Sequence, residues 1–418
     1  MTESARPLRI IAVGPHADPD TAPTGRVLSR LIAELGARGH EVHVVAALPW
    51  YRRHAIEPGW TGRLVRREIT PWGSIRRVHP FPGGDKRDLK RRAAGFAGFS
   101  MLSAWAGLGA GGWFRSADAV IAMSPPLTLG LTGRLVAWGH RAPLVFNIQD
   151  VFPDAAVATG AITDRHVIRA ASWLERTSYR AAQAVTVLSD DLRANVTAKV
   201  PAHRAERVHT IPNFVDTARI APADRMTPYR RELGIGSEPV LLYAGNVGYS
   251  QSVELLVAAA RRLPHVTVLV NGEGVARAAL EAEAAGLANV RFADYVPDGR
   301  LGELLATGDV HAVPLRSGLA TVSVPSKTYS ILAAGRPVVA AIDPGTEIPR
   351  ILAASGGGIA VAPDDADAFT TAVATLLDDP DAAAAMGARG REWVVASASP
   401  QAVASSYESL IRSLGRRK

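Results

Sequence analysis

Short runs of wholly apolar residues recur along this 418-residue chain, each ended by a polar, glycine-bearing loop and followed by a helical pattern. They recur in two separate series. Residues 8–13 open the first, ended by Gly14-Pro15 and a loop through Thr24-Gly25. Val27, Leu28, Leu31, Ile32 and Leu35 then share one face of a helix over 26–37, Gly39 stops it, and 41–46 begin a second strand. Residues 119–123, 144–148 and 184–188 continue the series. The pattern restarts with a strand at 240–244, the loop Gly245-Asn246-Val247-Gly248 and an amphipathic helix from about 253. Strands at 266–270, 290–292, 310–314 and 338–342 follow, the first of them turning at Asn271-Gly272-Glu273-Gly274. Runs apolar on both faces belong to parallel sheets covered by helices on both sides. Such open sheets place their chemistry in the loops beyond the carboxyl ends of the strands. A chain this long exceeds one ordinary core, so the two series predict two Rossmann-like α/β domains. The boundaries expected are 1–213, 214–398 and a final segment 399–418 carrying a helix over about 401–414.

The segment from Val324 to Ile342 has the most local detail: a loop, a short helix, a tight turn and a buried strand. Pro325 and Ser326 are start signals, with Ser326 suited to cap the helix through its hydroxyl. Gly335 falls where a left-handed residue ends a helix, and Pro337 blocks continuation. Free backbone N–H groups at Ser326 and Thr328 beside the Lys327 ammonium make a natural phosphate seat.

Apolar residues make up 47% of the chain and charged residues 21%, which describes a folded chain rather than a disordered one. Cysteine is absent, which excludes disulfides and thiolate metal sites and fits a cytoplasmic protein. The first residues run into a strand without the apolar core of a secretion signal. Residues 52–92 hold twelve Arg/Lys against four Asp/Glu, so the whole formal charge of +8 lies there. Trp60 and Trp72 fall within that segment, Trp50 just before it, and an uncharged run of 22 residues, 93–114, follows it. Basic and aromatic residues beside an apolar helix suit an anionic membrane surface, here the inner face. The competing expectation is a largely buried helix of the first domain. Six glycines in the run argue against a spanning helix. No helix-turn-helix, RNA-recognition or zinc pattern accompanies the basic patch, so nucleic acid is not expected as a partner.

Ala333-Ala334-Gly335-Arg336-Pro337-Val338-Val339 resembles the end of the donor-site helix in family-4 retaining glycosyltransferases of GT-B fold. The Pro-Ser-Lys opening at 325–327 is similar to that of the colanic-acid and O-antigen branch. Ile211-Pro212-Asn213-Phe214-Val215-Asp216 resembles the family's interdomain signature, with Phe214 replacing a glycine. Gln149-Asp150-Val151-Phe152-Pro153-Asp154 resembles a motif of the same branch. The resemblance spans nearly the whole chain. It implies two Rossmann-like domains facing each other across a cleft, with the C-terminal helix crossing back to the first.

The resemblance further implies a nucleotide sugar (UDP-, GDP- or dTDP-linked) as co-substrate, no metal or other cofactor, and an acceptor that is a glycan or a polyprenyl-linked glycan. Lys327, Ser326 and Thr328 would meet the donor diphosphate, with Gly25 approaching from the other domain. Arg316 is a candidate second cation. Relatives carry an Arg and a Lys where this chain has Asn246 and Gln251, and two Glu where it has Val322 and Ser330. Residues 310–342 contain no Asp or Glu at all, so Thr321, Ser323 and Ser330 are the candidates for sugar and ribose contacts. Gly245, Tyr295 and Val296 would border the nucleotide. Gln149 and Asp150 stand on the acceptor side: Gln149 for a sugar hydroxyl, Asp150 for the acceptor hydroxyl or for a structural turn. The family's front-face chemistry needs no enzymic nucleophile, since the departing phosphate oxygen can take the acceptor proton. Two other functions fit the fold: a sugar-nucleotide epimerase, which needs carboxylates this region lacks, and a non-catalytic scaffold. Within the transferase reading, a small-molecule aglycone is the alternative acceptor.

Overall fold

The structure is a computed structural model that describes residues 6–82, 89–113, 115–154, 157, 162–319 and 325–415, with the backbone alone over 89–93. It contains two compact units, Met1–Asn213 with Val403–Lys418, and Phe214–Ala402.

The first unit is built on β1 (Arg9–Val13), α1 (Pro23–Ala37), β2 (Glu41–Ala47), β3 (Val65–Thr70), β4 (Gly73–Val78), α2 (Leu89–Leu108), β5 (Ala119–Met123), α3 (Thr128–Gly139), β6 (Leu144–Asn147), α4 (Arg165–Ala181), β7 (Ala184–Val187), α5 (Asp190–Lys199) and β8 (Val208–Thr210). The sheet runs β3-β4-β2-β1-β5-β6-β7-β8. Every pairing is parallel except the β3–β4 hairpin. Its central strands are buried on both faces, as in Ile10, Ile11, Val44, Val45, Val120 and Ile121. That is why the apolar runs were legible. Helix α1 starts at Pro23, three residues before the expected residue 26, because Pro23 needs no amide partner in the first turn.

The basic segment is described only in part, since the side chains of Lys86, Arg87, Lys90, Arg91 and Arg92 lie outside the described residues. Part of it is the β3–β4 hairpin, and two of its arginines turn inward. Arg77 is fully buried, pairs with Glu68 at 2.8 Å and donates to the Ala17 and Asp18 carbonyls. Arg76 donates to the Gly109 carbonyl at 2.6 Å. Arg66 and Arg67 remain outside, Arg66 lying 4.4 Å over the Trp60 ring. Helix α2 divides the uncharged run by face: Phe99, Ser103 and Ala106 are buried, whereas Met101 is 74% and Trp105 53% exposed. Among the described residues no helix is long and apolar enough to cross a membrane.

The second unit holds α6 (Pro228–Glu232), β9 (Val240–Ala244), α7 (Glu254–Arg262), β10 (Thr267–Asn271), α8 (Arg277–Glu283), β11 (Val290–Ala293), α9 (Leu301–Thr307), β12 (Val310–Pro314), α10 (Lys327–Ala333), β13 (Val338–Ala341), α11 (Glu347–Ser355), β14 (Gly358–Val361), α12 (Ala366–Asp378) and α13 (Pro380–Ser397). Its all-parallel sheet runs β11-β10-β9-β12-β13-β14. The order reverses around β9 and β12, the switch point at which open α/β sheets bind ligands.

The last helix, α14 (Pro400–Gly415), crosses into the first unit from Val403 onward. Tyr407 anchors it: the hydroxyl accepts from the Asn147 amide at 2.9 Å and meets the Thr186 hydroxyl at 3.2 Å. Full burial pushes that phenol up to about 12.

Candidate functional site

The second domain gathers its site residues beyond the carboxyl ends of β9, β10, β11 and β12. Gly245 follows β9 with φ +142°, and its N–H donates to the Asn271 carbonyl at 2.9 Å. A Cβ on Gly245 would lie 2.9 Å from Lys327 Nζ, and one on Gly272 would lie 1.9 Å from the Gly245 carbonyl oxygen. Two loops therefore pack backbone to backbone beneath the lysine, which only glycine permits. Lys327 Nζ sits 4.0 Å over the Tyr243 ring. That ring is held by its hydroxyl, which donates to the Asn246 carbonyl at 2.5 Å. Burial brings the Lys327 ammonium down from 10.5 to about 8, and no carboxylate of the described residues pairs with it. A half-buried, desolvated cation with no counter-charge among the described residues is costly, and a bound anion relieves that cost.

Around this lysine several expectations change. Ser326 is itself helical and its hydroxyl caps nothing. The Thr328 N–H is already donated to the Pro325 carbonyl at 3.1 Å, and its buried hydroxyl has no partner among the described residues. The amide seat is therefore smaller than predicted, because the first turn closes on itself. Arg316, the candidate second cation, is engaged within the fold. Its guanidinium pairs with Glu254 at 2.8 Å and donates from Nε to the Tyr249 carbonyl at 2.7 Å, stapling two loops. Gln251 accepts the Gly248 N–H at 3.1 Å and so braces the loop after β9, where a Cβ on Gly248 would lie 2.6 Å from Asn246 Nδ2. Tyr295 is exposed and Val296 half-buried beyond β11, and Ser330 is half-buried on α10. Gly335 does end that helix in the left-handed conformation, at φ +67°. Thr321, Val322 and Ser323 lie outside the described residues.

In the first domain, Asp150 stands exposed beyond β6, yet crowded enough that partial desolvation raises its carboxyl above the ordinary value. Gln149, the candidate for a sugar hydroxyl, has a buried side chain. Its amide donates to Asn147 Oδ1 at 2.6 Å and accepts from Asn213 Nδ2 at 2.8 Å. It thus ties β6 to the chain's exit from the domain. Gly25 also has a local task, since a Cβ there would come 2.8 Å from the His16 Cβ. Its smallness lets the loop after β1 seat against α1. Sequence reasoning missed what that loop carries: His16 Nδ1 bonds Asp20 Oδ2 at 2.7 Å, both side chains buried. Asp20 also accepts the Tyr51 N–H at 3.1 Å. Although burial opposes it as the largest single influence, these hydrogen bonds and the His16 charge lower its pKa. A histidine and aspartate four apart in a loop beyond the first strand was the available signal.

Residues 24–213 match the glycosyl transferase 4-like domain, and residues 238–379 match glycosyl transferases group 1. WcaI of Escherichia coli, named as a colanic acid biosynthesis glycosyl transferase, is 28% identical over 88% of this chain and 92% of its own length. A GDP-mannose-dependent alpha-(1-6)-phosphatidylinositol monomannoside mannosyltransferase of Mycolicibacterium smegmatis is 33% identical over 44% of this chain and 51% of its own. The crystal structure of Anabaena Alr3699/HepE in complex with UDP superimposes with a TM-score of 0.65, at 16% identity, covering 97% of this chain and all of that one. The two domain matches, in this order on this fold, define an enzyme that transfers glycosyl groups. The chain belongs to the family-4 glycosyltransferases of GT-B fold.

Proposed function

We propose that this enzyme moves a sugar, with retention of anomeric configuration and without a metal, from a nucleoside diphosphate sugar on the second domain to a hydroxyl of a lipid-linked glycan acceptor on the first. The product would serve surface polysaccharide or glycolipid assembly at the inner membrane face. One observation carries the reading: Lys327, a desolvated ammonium with no carboxylate partner among the described residues, stands at the sheet's switch point over glycine loops. As the bond from the anomeric carbon to the phosphate oxygen breaks, negative charge collects on the departing diphosphate. A preorganised cation there stabilises that charge. The departing oxygen takes the proton of the attacking hydroxyl on the same face, so no protein nucleophile is consumed. Asp150, whose carboxyl is raised by desolvation, accepts the hydrogen bond of that hydroxyl and orients it.

The named substrates of the mycobacterial relative, GDP-mannose and a phosphatidylinositol mannoside, support a nucleotide sugar and a lipid acceptor. WcaI's name supports polysaccharide assembly. Surface composition supports the membrane. On neighbouring helices α2, α3 and α4, Trp105, Trp138 (69%) and Trp173 (65%) stand exposed with Met101, Leu131 and Leu135. Interfacial tryptophans of this kind suit the boundary of a bilayer.

A thermal-shift series with UDP, GDP, dTDP and CDP tests the donor assignment, since a ligand of the native state raises its melting temperature. At least one nucleotide should do so in the unmodified protein and fail to do so in Lys327→Ala. No shift with any of the four would overturn the reading.

A further inference from the structure

Asp150 sits in the middle of a segment, 147–154, that is held at both ends. Upstream the hold is a file of side-chain amides. Asn213 Nδ2 donates to Gln149 Oε1 at 2.8 Å, and Gln149 Nε2 donates to Asn147 Oδ1 at 2.6 Å. Asn147 Nδ2 then donates to the Tyr407 hydroxyl at 2.9 Å and to the Thr186 hydroxyl at 3.0 Å. Asn147, Gln149, Thr186 and Tyr407 are all buried. Hydrogen bonds that run in one donor-to-acceptor direction polarise one another and strengthen the whole file. Its two ends lie on the stretches by which the chain leaves and re-enters the first unit. Asn213 is the last residue before the exit, and Tyr407 lies on α14 shortly after the return at Val403.

Downstream the hold is ionic. Asp154 Oδ2 accepts from Asn195 Nδ2 at 2.9 Å and from Lys199 Nζ at 2.8 Å. The same ammonium meets Glu175 Oε1 at 2.6 Å, a buried carboxylate that also accepts the Tyr179 hydroxyl at 3.0 Å. Between the two holds, Val151 is packed into the hydrophobic core of the first unit. Asp150 is the one polar side chain of the segment with no hydrogen bond or ion pair among the described residues. The two carboxyl groups are driven apart accordingly. Burial is the largest influence on Asp154 and opposes its charge, yet the hydrogen bonds from Lys199 and Asn195 lower its pKa. Desolvation alone acts on Asp150 and raises its own. One carboxylate is used by the fold, and the other is left for a ligand.

We infer that Gln149 and Lys199 are positioning residues, which from opposite ends hold the 147–154 segment so that the Asp150 carboxylate stays fixed and unpaired for an acceptor hydroxyl. Neither touches the reacting atoms: Gln149 acts through the amide file and Lys199 through Asp154. The inference rests on the reading of Asp150 given above for its purpose, but the hold on Asp150 can be measured apart from transfer. Methionine at 149 keeps the volume and removes both hydrogen bonds, leaving Asn147 Oδ1 and Asn213 Nδ2 without their partner. The segment then relaxes and water reaches the Asp150 carboxyl.

Carbodiimide coupling of glycine ethyl ester to the full-length protein tests this, with the yield at Asp150 read by peptide mass spectrometry. Carbodiimides activate the protonated carboxyl, so the pH at which coupling halves reports the pKa of Asp150 in place. In the unmodified protein that midpoint should lie above the ordinary aspartate value of about 3.9. In Gln149→Met and in Lys199→Met it should fall by about half a pH unit or more, as the carboxyl regains water. Lys199→Arg should keep the unmodified midpoint, and the thermal shift given by nucleotide should be the same in every variant. Should Gln149→Met fail to melt cooperatively, Asn213→Ala, which breaks the file at a half-buried position, replaces it. A lowered melting temperature with an unchanged Asp150 midpoint would mark a merely structural role and overturn the inference. Equal falls with arginine and with methionine at 199 would overturn the role given to Lys199. Either result beside an intact nucleotide shift would leave the transferase reading standing. Undiminished transfer by Asp150→Asn would instead overturn the purpose assigned to Asp150, whatever the midpoints show of the hold on it.

Discussion

Replacing Lys327 with methionine should strengthen the empty protein and cripple it for its ligand. The ammonium's drop from 10.5 to about 8, at about 1.36 kcal/mol per pH unit, means that keeping it charged costs on the order of 3 kcal/mol. Its seat over Tyr243 returns about 1 kcal/mol as a cation–π contact. Methionine keeps the apolar stem and removes both effects, so the variant should gain about 1–2 kcal/mol at pH 7. The gain has a pH signature. Above pH 8 the folded protein holds Lys327 neutral while the unfolded chain still binds its proton up to about 10.5, so wild-type stability rises with pH through that window. The advantage of Lys327→Met should therefore be complete below pH 8 and fade between 8 and 10.5. Denaturant titrations from pH 6.5 to 10.5, following the second domain's transition, read this directly. Calorimetry at pH 7 should show nucleoside diphosphate binding weakened about 10²-fold, the scale of losing one preorganised electrostatic contact. A variant less stable than wild type at pH 7, with a pH-independent gap, would refute the desolvation argument. Undiminished nucleotide binding would refute the site.

Four further outcomes follow from the same geometry. In the unmodified protein, nucleotide affinity should fall about tenfold per pH unit above pH 8 as Lys327 loses its proton, and a flat profile to pH 10 would contradict this. Asp150→Asn should lower the rate of transfer more than it weakens nucleotide binding; a large loss of melting temperature would instead mark a structural turn. Tyr407→Phe should cost about 1–2 kcal/mol, by leaving the Asn147–Thr186 pair short of a partner, and should spare nucleotide affinity. Serine at both Trp138 and Trp173 should reduce co-sedimentation with anionic vesicles while melting temperature holds, and unchanged sedimentation would place the membrane contact elsewhere.

The polar side chains whose partners the sequence did not reveal share one physical feature. Arg316, Gln149 and Arg77 each meet a partner distant in sequence: Glu254, Asn213 and Glu68 with the Ala17 carbonyl. A polar side chain near the end of a strand has several possible partners. Which one it meets depends on how the loops of neighbouring strands fall, and that information is spread over many tens of residues. Ser326 failed for a shorter-range reason, since Pro325 led the chain into helix one residue early and its carbonyl took the amide that the hydroxyl or a phosphate was expected to take.

What the sequence by itself determined is the architecture. Two-sided apolar runs at 8–13, 119–123, 240–244 and 310–314 can satisfy burial only inside a parallel sheet. The left-handed Gly335 and the position of Lys327 at the start of α10 follow from local backbone chemistry. The tertiary structure decided the electrostatics. Lys327 acquires its lowered pKa because Tyr243 and the Gly245 loop enclose it, and His16 acquires an oriented ring because Asp20 and Trp50 converge on it. Desolvation and pairing are properties of a neighbourhood, and a neighbourhood exists only once the chain has folded.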